Sequence, residues 1–324
     1  MLQTPQDLAP ILADWKTILG DAPTRGEPSA GRELWPVTAE DGARYFLKRL
    51  GPWRNLPLAD EARILRHLAS HGVPVAEFIP NDHAMLYAGA IEDCFVLVPR
   101  LVSDRFDALQ VVPVGEQIGE AIGQLHVALA RYPWSANSYQ EQTIASLQGA
   151  LMLPPDVAVA FEQRRDQMIA ALADLPTQLI HGDLTPDNVL LRQPGAVSGF
   201  IDFDHLPLAP RTWDIARYLS RRVRRRWRQG NALSDSDRLV HVAGVLRGYH
   251  RVNPLTAIEI DGLVAGMTAG NVLDASYLHE ISAGTLDRRR MPDHDAELAD
   301  TVEAALWLLN GYEQVVDSVR RWVG

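Results

Sequence analysis

The sequence predicts an α+β protein with a small N-terminal lobe of antiparallel sheet and one key helix over residues 1–100, and a larger, mainly helical lobe over residues 101–324. Three observations predict it. Two hairpin-like strand pairs occupy about 34–50 and 84–99. A helical stripe lies between them at 58–70. After Pro99 helical spacing dominates, and strand-like runs shrink to 178–180, 189–191 and 199–202. The boundary falls near 99–103, where a strand gives way to helices.

Each element has its own signal. Over 5–20, Leu8, Ile11, Leu12, Trp15 and Leu19 line one side of a helix, and the Gly/Pro/Ser-rich stretch PTRGEPSAGRE follows it. Leu34 to Thr38 and Arg44 to Leu50 flank a polar turn ending in Asp41-Gly42, a hairpin pattern. In the second strand Tyr45, Leu47 and Arg49 share one face, with Phe46 and Lys48 on the other. In the helix at 58–70, Ala62, Leu65 and Ala69 form a stripe with Ile64 and Leu68 beside it; Gly72 and Pro74 end it. Ile118, Ile122, Leu125 and Leu129 give 115–130 an apolar side. From Asp214 onward the pattern is almost entirely helical. There the run Arg221 to Arg228 reads as the solvated basic face of a helix whose apolar members are Ile215, Tyr218, Leu219 and Val223.

Composition narrows the function classes. Apolar residues at 47% and charged residues at 22% are ordinary for a soluble globular enzyme. The formal charge of −10 argues against broad nucleic-acid binding and is compatible with a cationic substrate. The single cysteine, Cys94, forms no internal disulfide, and its strand-like setting suggests a buried structural thiol. The start MLQTPQDLAP lacks the basic and apolar regions of a signal peptide, and no apolar run approaches the roughly 18 residues of a membrane span. A cytoplasmic protein with neither membrane nor nucleic-acid partner is the expectation.

The strongest chemical signal is His181-Gly182-Asp183-Leu184-Thr185-Pro186-Asp187-Asn188, set between two short apolar strands. Thirteen residues beyond Val189, the run Gly199-Phe200-Ile201 delivers Asp202. Gly-Asp alone is a common turn. The full spacing is more specific. Phosphoryl transfer needs positioning, a carboxylate to orient the attacking hydroxyl and take its proton, and metal ions to neutralise phosphates. Asp183, Asn188 and Asp202 supply those parts in that order, and magnesium prefers such oxygen ligands.

HGDLTPDNVLL with IDFD resembles the catalytic and metal-binding loops of the aminoglycoside phosphotransferase and type II homoserine kinase superfamily, which includes choline kinases and a bacterial stress-response protein kinase. The resemblance spans roughly 30–280, and only the catalytic core is specific. It implies a bilobal protein-kinase-like fold, ATP and Mg2+ as cofactors, and transfer of the γ-phosphate to a small-molecule hydroxyl of homoserine, amino alcohol or aminoglycoside type. It makes Asp183 the base, and Asn188 and Asp202 the magnesium ligands. It places Lys48 on the α- and β-phosphates, ion-paired with Glu61; Arg49 and Asp60 are the alternatives by position. It gives Asp214 the start of a C-lobe helix and a bond to the catalytic-loop backbone, and His181 a loop-packing role. Val98 to Leu101 stand at the adenine hinge. The stretch Arg25 to Gly31 is neither a Walker A motif nor a complete kinase glycine loop; either backbone amides near Ser29 and Gly31 contact phosphate or it is a surface loop. Gly248 to Leu255 resembles a segment of the homoserine-kinase-like and stress-kinase branch.

Departures from eukaryotic protein kinases favour a small acceptor. Gly182 stands where the arginine of His-Arg-Asp would be, Asp204 where the glycine of Asp-Phe-Gly would be, and Ala-Pro-Glu is missing. Asp204, His205, Asp274, Tyr277 and Glu280 are the acceptor-pocket candidates, placed past the metal loop, and their carboxylates would suit an amine-bearing acceptor. The rival readings are a Ser/Thr protein kinase of the stress-response type, a non-catalytic nucleotide-binding module, and a metal-dependent hydrolase using the aspartates.

Overall fold

The computed structural model describes residues 8–28, 33–51, 56–90, 93–104, 112–134, 140–193, 195–224, 235–286 and 293–323. It is a mixed α+β protein in two units. The first takes in 1–103 and 198–205, and the second 104–197 and 206–324.

The first unit begins with two short helices, α1 (Ala9–Leu12) and α2 (Lys16–Leu19), joined by a 3-10 turn at Ala13–Trp15. The single helix expected over 5–20 is thus interrupted. Buried Trp15 sits in the turn and donates from its indole nitrogen to the Ile79 carbonyl at 2.8 Å. Leu8, Leu12, Trp15 and Leu19 pack with Trp35, Val37, Leu47, Phe95 and Leu97 in one core. The last five belong to a sheet of β1 (Thr24–Arg25), β2 (Leu34–Thr38), β3 (Arg44–Arg49), β4 (Ala88–Ala90) and β5 (Asp93–Pro99), ordered β1-β2-β3-β5-β4. All its pairings are antiparallel. Alternation along β3 buries Leu47 and sends Lys48, opposite Val96, to the other face. Cys94 lies half-buried on β5.

Helix α3 (Leu58–Ser70) buries Glu61, Ala62, Ile64, Leu65 and Leu68 on one stripe. Beyond it, residues 198–205 join the same unit. Phe200 bridges Val75 in parallel and donates its amide to the Pro74 carbonyl at 2.9 Å. The Ser198 hydroxyl donates to the Val102 carbonyl. Sequence distance hides this association, because the segment lies about a hundred positions from its partners.

The second unit is mostly helix: α4 (Val112–Ala130), α5 (Gln140–Gln148), α6 (Pro155–Glu162), α7 (Arg165–Ala173), α8 (Thr212–Val223), α9 (Asp235–Val252), α10 (Ala257–Ala283), α11 (His294–Asn310) and α12 (Tyr312–Val323). Its strands are β6 (Thr177–Leu179), β7 (Val189–Arg192) and β9 (Leu208–Pro210), while β8 (Ala196–Phe200) carries the chain out into the first unit. Helices α4 and α9 lie against each other backbone to backbone. A Cβ on Gly119 would meet the Val245 carbonyl oxygen at 2.0 Å, and one on Gly248 the Glu116 oxygen at 2.0 Å. Only glycine permits that approach. Helix α10 starts at a capping box of Thr256 with Glu259 and packs against α7, α8 and α11. No helix among the described residues is long and apolar enough to cross a membrane.

Candidate active site

Strand β6 pairs antiparallel with β9, placing Leu179 opposite Leu208. The loop between β6 and β7 carries the motif. The Leu206 amide donates to the His181 carbonyl at 3.2 Å, and the next turn is held by Asp214 near the start of α8. Asp214 Oδ2 accepts from the His181 amide at 2.8 Å, and Oδ1 from the Gly182 amide at 2.9 Å. Gly182 has φ +86°, a left-handed conformation that glycine adopts without penalty. The backbone then presents Asp183 half-buried, one position further on.

Asp214 is itself buried, and burial alone would raise its pKa. The His126 hydrogen bond, the charges of His126 and His181 and the loop amide together outweigh that, so the carboxyl sits below its usual range. His126 Nε2 lies 3.1 Å from Asp214 Oδ2, and its Nδ1 lies 2.9 Å from the Tyr249 hydroxyl. A carboxylate only accepts, so Nε2 carries a proton towards Asp214, and Nδ1 shares a hydrogen bond with the tyrosine hydroxyl. The close α4–α9 packing brings this histidine and tyrosine together.

The other end of the loop is tied to Asn188. A 3-10 turn at Pro186–Asn188 precedes β7. The Asn188 amide group donates to the Asp183 carbonyl at 2.8 Å and lies 3.4 Å from Asp183 Oδ2. With its nitrogen so engaged, the Asn188 side-chain oxygen is the atom left to face a cation. Arg217, one turn along α8 from Asp214, brings Nε to 3.6 Å from Asp183 Oδ1. Its Nη1 reaches Asp274 Oδ1 at 3.3 Å.

In the first unit, Lys48 Nζ pairs with the Asp202 carboxylate. Asp202 follows β8 with φ +71°, strained for a residue with a side chain. Glu61 is buried in the first turn of α3. Arg49, the positional alternative to Lys48, points to the other face. It is buried against Glu33 at 2.6 Å and Asp93 at 2.5 Å, which makes it a structural cation. Val98 lies opposite Phe46, and the Leu101 side chain fills the space a Cβ on Gly199 would need. Ser29 and Gly31 lie outside the described residues.

The acceptor candidates divide between the units. Asp204 and His205 belong to the first, with His205 Nε2 3.7 Å from Asp204 Oδ1. Asp274, Tyr277 and Glu280 lie on α10 of the second. Tyr277 is exposed, and Glu280 lies 3.2 Å from the Ser276 hydroxyl that donates to it. Asp274 is engaged by arginines. The expected solvated basic face is corrected here: Arg222 and Arg224 are 7% and 5% exposed. Arg222 stacks its guanidinium 5.3 Å from the Tyr218 ring centroid, and Arg224 pairs with Asp274. Arg225 to Arg228 lie outside the described residues.

Sequence reasoning missed His126, Tyr249 and Arg217. A signal existed for the first, since His126 continues the four-residue spacing of Ile118 and Ile122 and puts a polar ring on an apolar stripe. Arg217 had none, because its partner acid lies 57 positions away.

The residues fit a divalent cation in part. No group of three or more His, Cys, Asp or Glu among the described residues is arranged to hold a metal. Asn188 in the second unit and Asp202 in the first each carry a side-chain oxygen, the hard donor type that a magnesium-type ion prefers.

Comparison with known proteins gives a consistent picture. The sequence model of a family described as "Phosphotransferase enzyme family" matches residues 28–255. A homoserine kinase of Burkholderia ambifaria (strain MC40-6) is 30% identical over 225 residues, covering 60% of this chain and 61% of that protein. One from Paraburkholderia phymatum is 27% identical over 220 residues, covering 60% of this chain and 63% of the relative. The chain thus spans about three fifths of the length of these curated relatives. Among solved structures, a microcompartment-associated aminopropanol kinase superposes with TM-score 0.71 at 13% identity, covering 94% of this chain and 96% of its own. Amicoumacin kinase hAmiN, in complex with AMP-PNP, Ca2+ and Ami, superposes with TM-score 0.66 at 20% identity, covering 89% and 88%. At such identities the likeness is one of fold.

Proposed function

The chain belongs to the phosphotransferase enzyme family, and from that premise we propose that it moves the γ-phosphate of ATP, with Mg2+, to a hydroxyl of a small molecule of the homoserine, amino alcohol or aminoglycoside type. The observation that carries this reading is the hold on the loop bearing Asp183. Asp214 grips two successive amides on one side, and Asn188 ties the Asp183 carbonyl on the other. A loop restrained at both ends points one carboxylate outward in a defined direction, which a proton acceptor needs.

Asp183 orients the acceptor hydroxyl and takes its proton as the oxygen forms a bond to the γ-phosphorus. The bond from that phosphorus to the β–γ bridging oxygen breaks, and ADP leaves. Lys48, steadied by Asp202, binds the α- and β-phosphates. Asn188 and Asp202 would hold the magnesium, which would neutralise charge on the phosphate oxygens. Asp214, through the loop amides, keeps Asp183 in place.

An ATP-consumption screen over amino alcohols, aminoglycosides, sugars and homoserine tests this, with Asp183→Asn as the blank. Acceptor-dependent turnover should fall by about 10²–10⁴-fold in that variant. Lys48→Ala should weaken ATP binding by about tenfold or more, as the loss of a charge-assisted contact requires. Wild-type turnover in Asp183→Asn removes this residue as the base. Phosphate appearing on protein, with no small hydroxyl accepted, replaces the small-molecule reading by a protein kinase.

A further inference from the structure

Arg217 and Arg221 lie one turn apart on α8, and Arg224 follows the helix end. All three converge on Asp274. Arg217 Nη1 lies 3.3 Å from Oδ1, Arg221 Nη2 lies 3.3 Å from Oδ2, and Arg224 pairs with the same oxygen. Glu297 of α11 lies 3.4 Å from Arg221 and 3.8 Å from Arg224. With Asp183, which Arg217 also faces, three carboxylates meet these three guanidiniums.

Arg217 is the member of the cluster that faces Asp183. Arg217 is the most exposed of the three arginines, at 33% of its side chain. Its Nε stands 3.6 Å from Asp183 Oδ1, beyond hydrogen-bond range. Its two hydrogen bonds to Asp274 both leave from Nη1. A guanidinium carries five N–H donors, so the Nε and Nη2 edge retains capacity for a planar, two-oxygen partner. Burial would raise the Asp274 carboxyl, but the three guanidiniums outweigh it and hold it ionised. Its charge is already shared among them. An ammonium-bearing acceptor reaching Asp183 would meet Arg217, with no uncommitted carboxylate of this cluster to receive it.

We infer that the acceptor is a short hydroxy acid, its carboxylate bound by Arg217 while its hydroxyl faces Asp183. This rests on the phosphotransferase reading above and makes Arg217 a specificity-determining residue. The cationic acceptor suggested by the net charge is disfavoured at this site, because the side chain beside Asp183 is a guanidinium.

Calorimetry with the full chain, AMP-PNP and Mg2+ tests the inference. The probes are 4-hydroxybutanoate, 1,4-butanediol and 4-amino-1-butanol. The hydroxy acid should bind about tenfold or more tightly than the diol, as a charge-assisted contact provides, and the amino alcohol most weakly. Arg217→Gln should bring the acid-to-diol ratio near one. Arg217→Lys keeps the charge without the fork, should retain part of the ratio, and carries the test if the Gln variant does not fold. Tightest binding by the amino alcohol, equal affinities, no binding by any probe, or a ratio unchanged in both variants overturns the inference. Absence of acceptor-dependent ATP consumption across the hydroxyl compounds of the screen sinks the phosphotransferase reading instead, and leaves these binding ratios to stand or fall separately.

Discussion

His126 Nε2 lies 3.1 Å from Asp214 Oδ2, joining two fully buried side chains that are 88 positions apart in the chain. Through this contact the α4–α9 pair supports the loop that carries Asp183. Tyr249 orients the histidine, the histidine fixes the carboxylate, and the carboxylate holds the amides of His181 and Gly182. A buried carboxylate accepting three hydrogen bonds is satisfied; one acceptor fewer leaves a donor stranded.

Asp214→Asn makes that change at nearly constant volume. Its single oxygen cannot serve two amides and a histidine. Turnover should fall by about 10- to 100-fold, the range for groups that orient a functional residue. His126→Gln should fall in the same direction by less, since the loop amides keep both acceptors. In both variants kcat should drop with little change in the KM for ATP. Lowered melting temperature with normal kcat would reduce Asp214 to a purely structural role.

Gly248→Ala tests the helix contact behind it. The added Cβ would stand 2.0 Å from the Glu116 carbonyl oxygen, which is backbone and cannot swing aside. The two helices must separate, at a cost of about 1–3 kcal/mol, the usual range for overpacking. The urea midpoint should fall accordingly, and turnover with it, because Tyr249 moves away from His126. An unchanged midpoint would mean the α4–α9 approach is looser than described.

His241 on α9 should make stability depend on acid. Burial, and then the nearby Arg222 charge, push its pKa from 6.5 to about 3, so the folded protein holds it neutral. Between those values the unfolded chain binds a proton that the folded chain does not. Stability from this group therefore rises with pH across the window, and is lost as pH falls below about 6.5, by at most about 1.4 kcal/mol per pH unit. Replacing it with Gln removes the titration. Urea midpoints from pH 7 to 4 should fall less steeply in His241→Gln than in the parent; parallel curves would exclude the assignment.

The fold class was legible because it rests on local periodicity. Alternation at 44–49 makes a strand, and three- and four-residue spacing at 58–70 makes a helix, whatever lies elsewhere. The interruption at Ala13–Trp15 was not, because the apolar spacing runs on through a turn whose indole is satisfied by Ile79, far along the chain. The arginine run misled for the same reason. Its charges look solvated until a helix from elsewhere brings Asp274 against them.

By itself the sequence determined which groups are available and in what order: an Asp-x4-Asn loop, a second aspartate on a following turn, a lysine on a strand. Those are matters of spacing along one chain. Only the tertiary structure decided what surrounds them. It placed residues 198–205 with the first unit, set Asp214 between His126 and the loop amides, and put the Arg217 guanidinium beside Asp183. Each depends on helices meeting at a particular rotation and separation, and on glycines that let two backbones touch. Charge–charge energies vary with distances that no count of residues supplies.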